Sequence, residues 1–151
     1  GRKTLARTSN TPGRTQEINF FTVGDSHYLV DLPGYGYADA PIAVVEKWQR
    51  LLKQYLSGRQ SLRRAFVLID SRHGIKIVDE QILSLLDSAA VTFQVILTKA
   101  DKINEIEREK TVQQVSSALQ AHPAAFPEIL ITSSERGCGI PVLRSVIATL
   151  V

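Results

Sequence analysis

Three short polar clusters in this chain carry residue types that could hold a phosphorylated ligand. The first is Asp31-Leu32-Pro33-Gly34, directly after the apolar run Tyr28-Leu29-Val30. A carboxylate at a strand end can ligate a metal, directly or through water. A glycine three residues on lets a backbone N–H approach a phosphate oxygen without side-chain interference. The second cluster is Thr98-Lys99-Ala100-Asp101, after Phe93-Gln94-Val95-Ile96-Leu97. An Asp two residues after a Lys can accept two hydrogen bonds from a planar amidine-like edge, such as the N1–H and exocyclic amine of guanine, while the Lys stem lies across the ring with its ammonium wet. Adenine lacks those paired donors and would leave a costly unpaired carboxylate. The third is Thr132-Ser133-Ser134-Glu135-Arg136-Gly137-Cys138-Gly139, a tight loop rich in backbone N–H groups, of which that of Ser134 is the best candidate donor to the guanine O6.

Each pattern alone also has a plain structural reading. D-x-x-G is a strand followed by a Pro-Gly turn, T-K-x-D is a surface turn with a helix N-cap, and S-S-x-x-G-x-G is a glycine-rich loop before a helix. All three in this order, each at a strand end, is a far rarer arrangement than any one of them.

The elements that must position these clusters alternate along the chain. Ile18–Thr22 and His27–Val30 are short β-type runs around Gly24-Asp25-Ser26, a hairpin signal. Pro41 suits a first helical turn, and Val44, Val45, Trp48, Leu51, Leu52, Tyr55 and Leu56 recur at helical spacing up to a stop near Gly58. Ala65–Asp70 is an unbroken apolar run ending in an acid, which predicts a strand covered on both faces. Helices are predicted from Val78, Ile82, Leu85 and Leu86, from Val112, Val115 and Leu119, and from Ile140, Leu143, Val146, Ile147 and Leu150. Between them lie the strands 93–97 and 129–131. This alternation predicts an α/β domain, a mainly parallel sheet with helices on both faces, and the clusters on its ligand-binding edge.

The chain has 151 residues, 44% hydrophobic and 22% charged, the size of one ordinary domain. Its one cysteine forbids an internal disulfide, and no apolar run approaches the ~20 residues of a membrane span. The reading is a soluble cytoplasmic protein. Residues 1–76 hold 12 of the 18 Lys and Arg but 6 of the 15 acids. Such a basic half suits a polyanionic partner as well as an ordinary solvated face. Residues 2–16 have no hydrophobic period and read as a mobile loop. The chain starts at Gly1 and holds no methionine, which reads as a fragment or as a chain whose upstream part is missing.

With Thr8-Ser9-Asn10-Thr11-Pro12-Gly13-Arg14-Thr15-Gln16, Asn19-Phe20-Phe21, Asp31-Leu32-Pro33-Gly34-Tyr35-Gly36-Tyr37-Ala38, Glu46-Lys47-Trp48-Gln49 and Asp70-Ser71-Arg72-His73 added, the chain resembles the EngB (YihA/YsxC) family of translation-factor-type GTPases from about Leu5 to its C-terminus. The resemblance implies a three-layer P-loop GTPase fold in a single domain, with 1–16 a mobile switch-I-like segment and 17–151 the α/β body. It implies GTP and GDP as ligands and Mg²⁺ as cofactor. It makes Thr15 the switch threonine in the Mg²⁺ shell, puts Asp31 on the same ion, and has the Gly34 N–H sense the γ-phosphate. Thr98, Lys99 and Asp101 carry guanine recognition, with Ser133 and Ser134 supporting the ring. Further implications are slow GTP hydrolysis, assembly of the large ribosomal subunit through that subunit or its rRNA, a need in cell division and septation, a monomer, and no membrane or DNA partner.

Two departures stand out. No G-x-x-x-x-G-K-[ST] phosphate loop occurs in these residues, so a core strand and a phosphate site are expected to be missing and nucleotide binding by this polypeptide alone to be weak; if instead the loop belongs to the protein but lies outside these residues, a gap in the sheet is expected beside the strand ending at Asp31. Tyr35 follows Gly34 where many GTPases keep a water-orienting Gln, which the family shares and which implies slow intrinsic turnover that depends on a partner or ion. The alternative function is a non-hydrolysing ribosome- or RNA-docking remnant. A phosphoacceptor or flavodoxin-like domain would explain Asp31 and Asp70 but not the guanine-type pattern.

Overall fold

The computed structural model describes residues 18–25, 27–32, 34 and 42–150. The expected mobile loop over 2–16, with Thr15, and Tyr35 beside Gly34 lie outside the described residues. The chain divides into two compact units, residues 1–54 and 55–151.

In the first unit, β1 (Asn19–Val23) and β2 (His27–Asp31) pair antiparallel with Val23 opposite His27 and Asn19 opposite Asp31. Gly24 takes φ +61° at the turn, where a side chain would be strained. The hairpin signal in the sequence is therefore realised. Helix α1 (Ile42–Leu56) follows the apolar spacing read there, and Gly58 at φ +72° lies just past its end.

The second unit is built on β3 (Ala65–Asp70), β4 (Phe93–Thr98) and β5 (Leu130–Ile131), parallel and in the order β3-β4-β5. The helices α2 (Ile77–Ser88), α3 (Glu105–Leu119) and α4 (Ile140–Ala148) alternate with them. Each unit thus carries a sheet of its own among the described residues, two-stranded in the first and three-stranded in the second.

The central strand β4 is buried from Phe93 to Leu97, and Phe93, Val95 and Leu97 are completely enclosed. Burying a side chain of that size stabilises the fold by about 2 kcal/mol. Gln94 is equally enclosed, and its carboxamide accepts from Arg64 Nη1 at 2.8 Å and donates to the Glu128 carbonyl at 3.0 Å. The Arg64 guanidinium stacks 3.9 Å from the centre of the Phe126 ring. The expectation that β3 is covered on both faces fails: Val67 and Ile69 are buried but Leu68, which points to the opposite face, is 62% exposed, so that face lacks cover among the described residues.

Local signals explain where α3 begins. Asn104 caps it with a reciprocal pair, its side chain accepting from the Glu107 N–H and its own N–H donating to the Glu107 carboxylate, both at 2.9 Å. The Thr111 hydroxyl of the same helix lies 3.2 Å from the Ser71 carbonyl, which ties α3 to the end of β3. No helix of the described residues is long and apolar enough to cross a membrane.

His122 fastens the segment after α3 to α2. It is buried, with Nδ1 2.6 Å from Asp87 and Nε2 3.1 Å from Glu80. Burial alone would lower its pKa, but the two carboxylates outweigh burial and hold it above the ordinary imidazole value. The folded protein therefore binds this proton more tightly than the unfolded chain does. The resulting stabilisation is complete below about pH 6.5 and fades as pH rises through the raised folded value. Thermal unfolding should show a midpoint that falls from about pH 6 towards about pH 9, and a smaller fall in His122→Gln. Superimposable pH profiles for the two proteins would remove His122 from this role.

Candidate functional site

The parallel register sets the site. Asp70, the last residue of β3, lies opposite Thr98, the last residue of β4, so the chain that leaves β4 starts at the height where β3 ends. Thr98 donates its hydroxyl to the Ile69 carbonyl at 3.1 Å, and Thr132 donates its N–H to the Leu97 carbonyl at 2.7 Å. These bonds tie the exits of all three parallel strands into one rim.

Lys99 then turns the chain in a left-handed conformation, φ 56° and ψ 35°. For a residue with a Cβ this costs about 1–2 kcal/mol, and such strain concentrates at binding sites. The Ala100 N–H donates to the Thr132 carbonyl at 3.1 Å, and a single 3₁₀ turn over Ala100–Lys102 brings Asp101 back against the last loop.

Asp101 is the most constrained group of the rim, with only 5% of its side chain exposed. One carboxylate oxygen accepts from the Ser133 hydroxyl at 2.6 Å and the other pairs with the Lys102 ammonium at 3.1 Å. The Ser133 hydroxyl and the Lys102 ammonium hold its pKa down at about 2, so it is a permanent carboxylate at neutral pH. Each oxygen keeps acceptor capacity beyond these bonds. Lys102 is shared with Glu135, 2.7 Å away.

The loop 132–139 is folded around the same serine. The Ser133 hydroxyl also accepts from the Arg136 N–H at 3.1 Å, and the Ser133 N–H donates to the Cys138 carbonyl at 2.9 Å. Ser134 is exposed, and its N–H has no partner among the described residues. Gly137 and Gly139 both take positive φ, +74° and +71°, and a Cβ on Gly139 would overlap the Ile131 carbonyl oxygen. The glycine at the start of α4 is thus required by close backbone approach.

On the other side of Lys99, its ammonium lies 2.9 Å from Asp70 Oδ2, and the Arg72 guanidinium binds the same carboxylate with Nε at 2.9 Å and Nη2 at 2.7 Å. Arg72, and beyond it Lys99, hold the Asp70 carboxyl well below the usual carboxylate range.

Of the residues singled out in the sequence, Thr98, Lys99, Asp101, Ser133 and Ser134 gather on this one rim of the second unit. Asp31 ends β2 and is exposed, and Gly34 is exposed three residues beyond the hairpin; both belong to the first unit. The carboxylate and the glycine N–H are therefore available as donors to a cation and an anion. Thr15 lies outside the described residues. Sequence reasoning did not place Asp70 or Lys102 in the site and gave no role to Glu135; Ser133, expected to support the ring, has its hydroxyl on Asp101. The signal for Asp70 was present: two adjacent parallel strands that both end in polar residues bring those ends together.

A carboxylate with spare lone pairs, a lysine stem beside it and an N–H in a glycine loop without a partner among the described residues are the groups that a flat heterocycle bearing adjacent donors and a carbonyl would need. The family model for the 50S ribosome-binding GTPase matches residues 1–99. The probable GTP-binding protein EngB of Roseobacter denitrificans is 79% identical over 150 residues, covering 99% of this chain and 69% of its own length. The EngB of Cereibacter sphaeroides is 68% identical with the same coverage. Among solved structures, a probable GTP-binding protein engB superposes with a TM-score of 0.70 at 21% identity, over 95% of this chain and 84% of that one. Era, solved with MgGDPNP and nucleotides 1506–1542 of 16S ribosomal RNA, superposes with a TM-score of 0.68 at 19% identity, over 95% of this chain and 47% of its own. Those structures share the P-loop GTPase α/β fold. The rim geometry, the family match and relatives of this identity over nearly the whole chain converge, and the chain belongs to the EngB family of GTP-binding proteins, which are GTPases.

Proposed function

We propose that this protein is a slow GTP-driven switch in assembly of the large ribosomal subunit, in a single cytoplasmic, monomeric G domain needed for normal cell division, with its guanine subsite at Asp101. The observation that carries the reading is the Asp101 carboxylate, ionised and fixed by Ser133 and Lys102 with acceptor capacity to spare. Asp101 accepts from the guanine N1–H and amine, the Lys99 stem covers one ring face, and the Ser134 N–H meets O6. Thr98 and Ser133 hold those groups in place from behind.

Mg²⁺ suits the first unit. Among the described residues no cluster of three or more His, Cys, Asp or Glu forms a protein cage. Mg²⁺ is commonly held by one or two hard oxygen ligands with waters and phosphates, which an exposed Asp31 with the Thr15 hydroxyl would provide. Bound there, the ion supplies charge neutralisation for the phosphates. Gly34 offers its N–H to the γ-phosphate, and loss of that phosphate releases the loops that hold Thr15 and Gly34. The basic excess in residues 1–76 supports an rRNA-rich partner.

Calorimetry on the full-length protein tests the reading. GTP and GDP should bind with micromolar dissociation constants and ATP should give no measurable heat. Equal affinity for ATP and GTP would refute base recognition at Asp101. Co-sedimentation with large ribosomal subunits that depends on GTP rather than GDP checks the partner, and nucleotide-independent binding would favour the docking-remnant alternative.

A further inference from the structure

Resting on the guanine reading above, we infer that Asp70, held by Arg72, is a positioning residue that fixes the Lys99 stem as one wall of the base slot. Asp70 sits 29 residues before Lys99 in sequence and beside it in space, because β3 and β4 end at the same height. Its carboxylate is oriented independently of Lys99. The Arg72 N–H reaches Oδ1 at 3.0 Å, Arg72 Nε reaches the same oxygen at 2.9 Å, and Nη2 reaches Oδ2 at 2.7 Å. An Arg fork with a backbone N–H is a rigid grip on a carboxylate. Lys99 then places its ammonium on Oδ2 at 2.9 Å.

Lys99 is consequently held at both ends. Its backbone is locked in the left-handed region between the end of β4 and the turn that presents Asp101, and its tip is locked on Asp70. A lysine with a free tip samples many rotamers, and ordering it on ligand arrival would weaken binding. With the tip already anchored, the four-carbon stem is preorganised as an apolar surface beside the Asp101 carboxylate. A plain surface ion pair would contribute little of any kind, since such pairs are weak in water. The left-handed backbone and the three-point grip on Asp70 distinguish this one.

A thermodynamic cycle on the full-length protein separates positioning from mere support of the fold. GDP dissociation constants are measured for the unaltered protein, Asp70→Asn, Lys99→Met and the double variant, with Arg72→Ala as a second route should Asp70→Asn unfold. Asp70→Asn should weaken GDP about fivefold to tenfold and Lys99→Met more, with the double variant no weaker than Lys99→Met alone. Arg72→Ala should weaken GDP less, and only while Lys99 is present. Unchanged affinity in Asp70→Asn, or a loss equally large in the Lys99→Met background, would overturn the inference. Asp101→Asn in the same series marks the reading on which it rests. If that variant moves preference from guanine to xanthine while Asp70→Asn has no effect, only the positioning role falls; if it moves nothing, both fall.

Discussion

Asp101→Asn should weaken GDP binding by the full-length protein on the order of a hundredfold and strengthen binding of the xanthine nucleotide by a similar factor. In the proposed function the carboxylate accepts two hydrogen bonds from the guanine edge, and each charge-assisted bond of this kind is worth roughly tenfold in affinity. An amide keeps one acceptor, which the Ser133 hydroxyl at 2.6 Å already engages. Its NH₂ takes the position that now faces Lys102, where two donors oppose each other, so Lys102 should withdraw to Glu135, its 2.7 Å partner. That NH₂ meets the guanine amine as a second donor, but it can donate to the carbonyl that xanthine carries at the same ring position. Competition of XDP against a fluorescent GDP analogue reads both changes at once. Retention of GDP affinity would mean that the base lies elsewhere on the protein.

Gly139→Ala should cost on the order of 3–5 kcal/mol of folding stability and abolish nucleotide binding in whatever remains folded. Two independent strains act together. At φ +71° a Cβ is disfavoured, and here it would overlap the Ile131 carbonyl oxygen while standing 3.0 Å from the Ile131 carbonyl carbon and 3.2 Å from Thr132 Cα. All three are backbone atoms at the end of β5, and none can rotate away. Relief requires α4 to move off the sheet or the loop 132–139 to reopen. Either change separates Ser133 from Asp101, since Ser133 is held in place by the Cys138 carbonyl one residue before the glycine. Urea unfolding gives the stability loss. A midpoint shift equivalent to less than about 1 kcal/mol would show that the close approach is absent in solution. By contrast Gly137, whose Cβ would meet nothing within 4 Å, should accept Ala with only the cost of its positive φ.

The parts of the site that could be read from the sequence are those set by short-range order. Asp101 and the glycines of the last loop each lie within a few residues of a recognisable strand end, and the alternating elements bring β3, β4 and β5 into one parallel sheet. Contacts that depend on which strands are neighbours were not legible. The Asp70–Lys99 pair requires the β3–β4 register, and the His122 pairs with Asp87 and Glu80 join residues 35 and 42 positions apart. The left-handed turn at Lys99 carries no sequence signal, because a lysine there runs against local preference. Leu68 was misread for a related reason: an apolar run shows that a strand can be buried on both faces, but coverage depends on neighbours that the run itself does not specify.

Gln94 has a bearing on folding fidelity. A strand as uniformly apolar as β4 could pair with its neighbours in several alignments of nearly equal energy, because each shifted alignment still encloses branched side chains. The enclosed amide removes that degeneracy. It bonds Arg64 Nη1 on the chain entering β3 and the Glu128 carbonyl on the chain leading to β5 in a single alignment, and any slippage strands the enclosed amide without partners at a cost of several kcal/mol. One polar residue thus serves as an alignment key for three strands. A Gln94→Leu variant would keep the bulk and lose the key, trading a single native arrangement for a population of misaligned sheets.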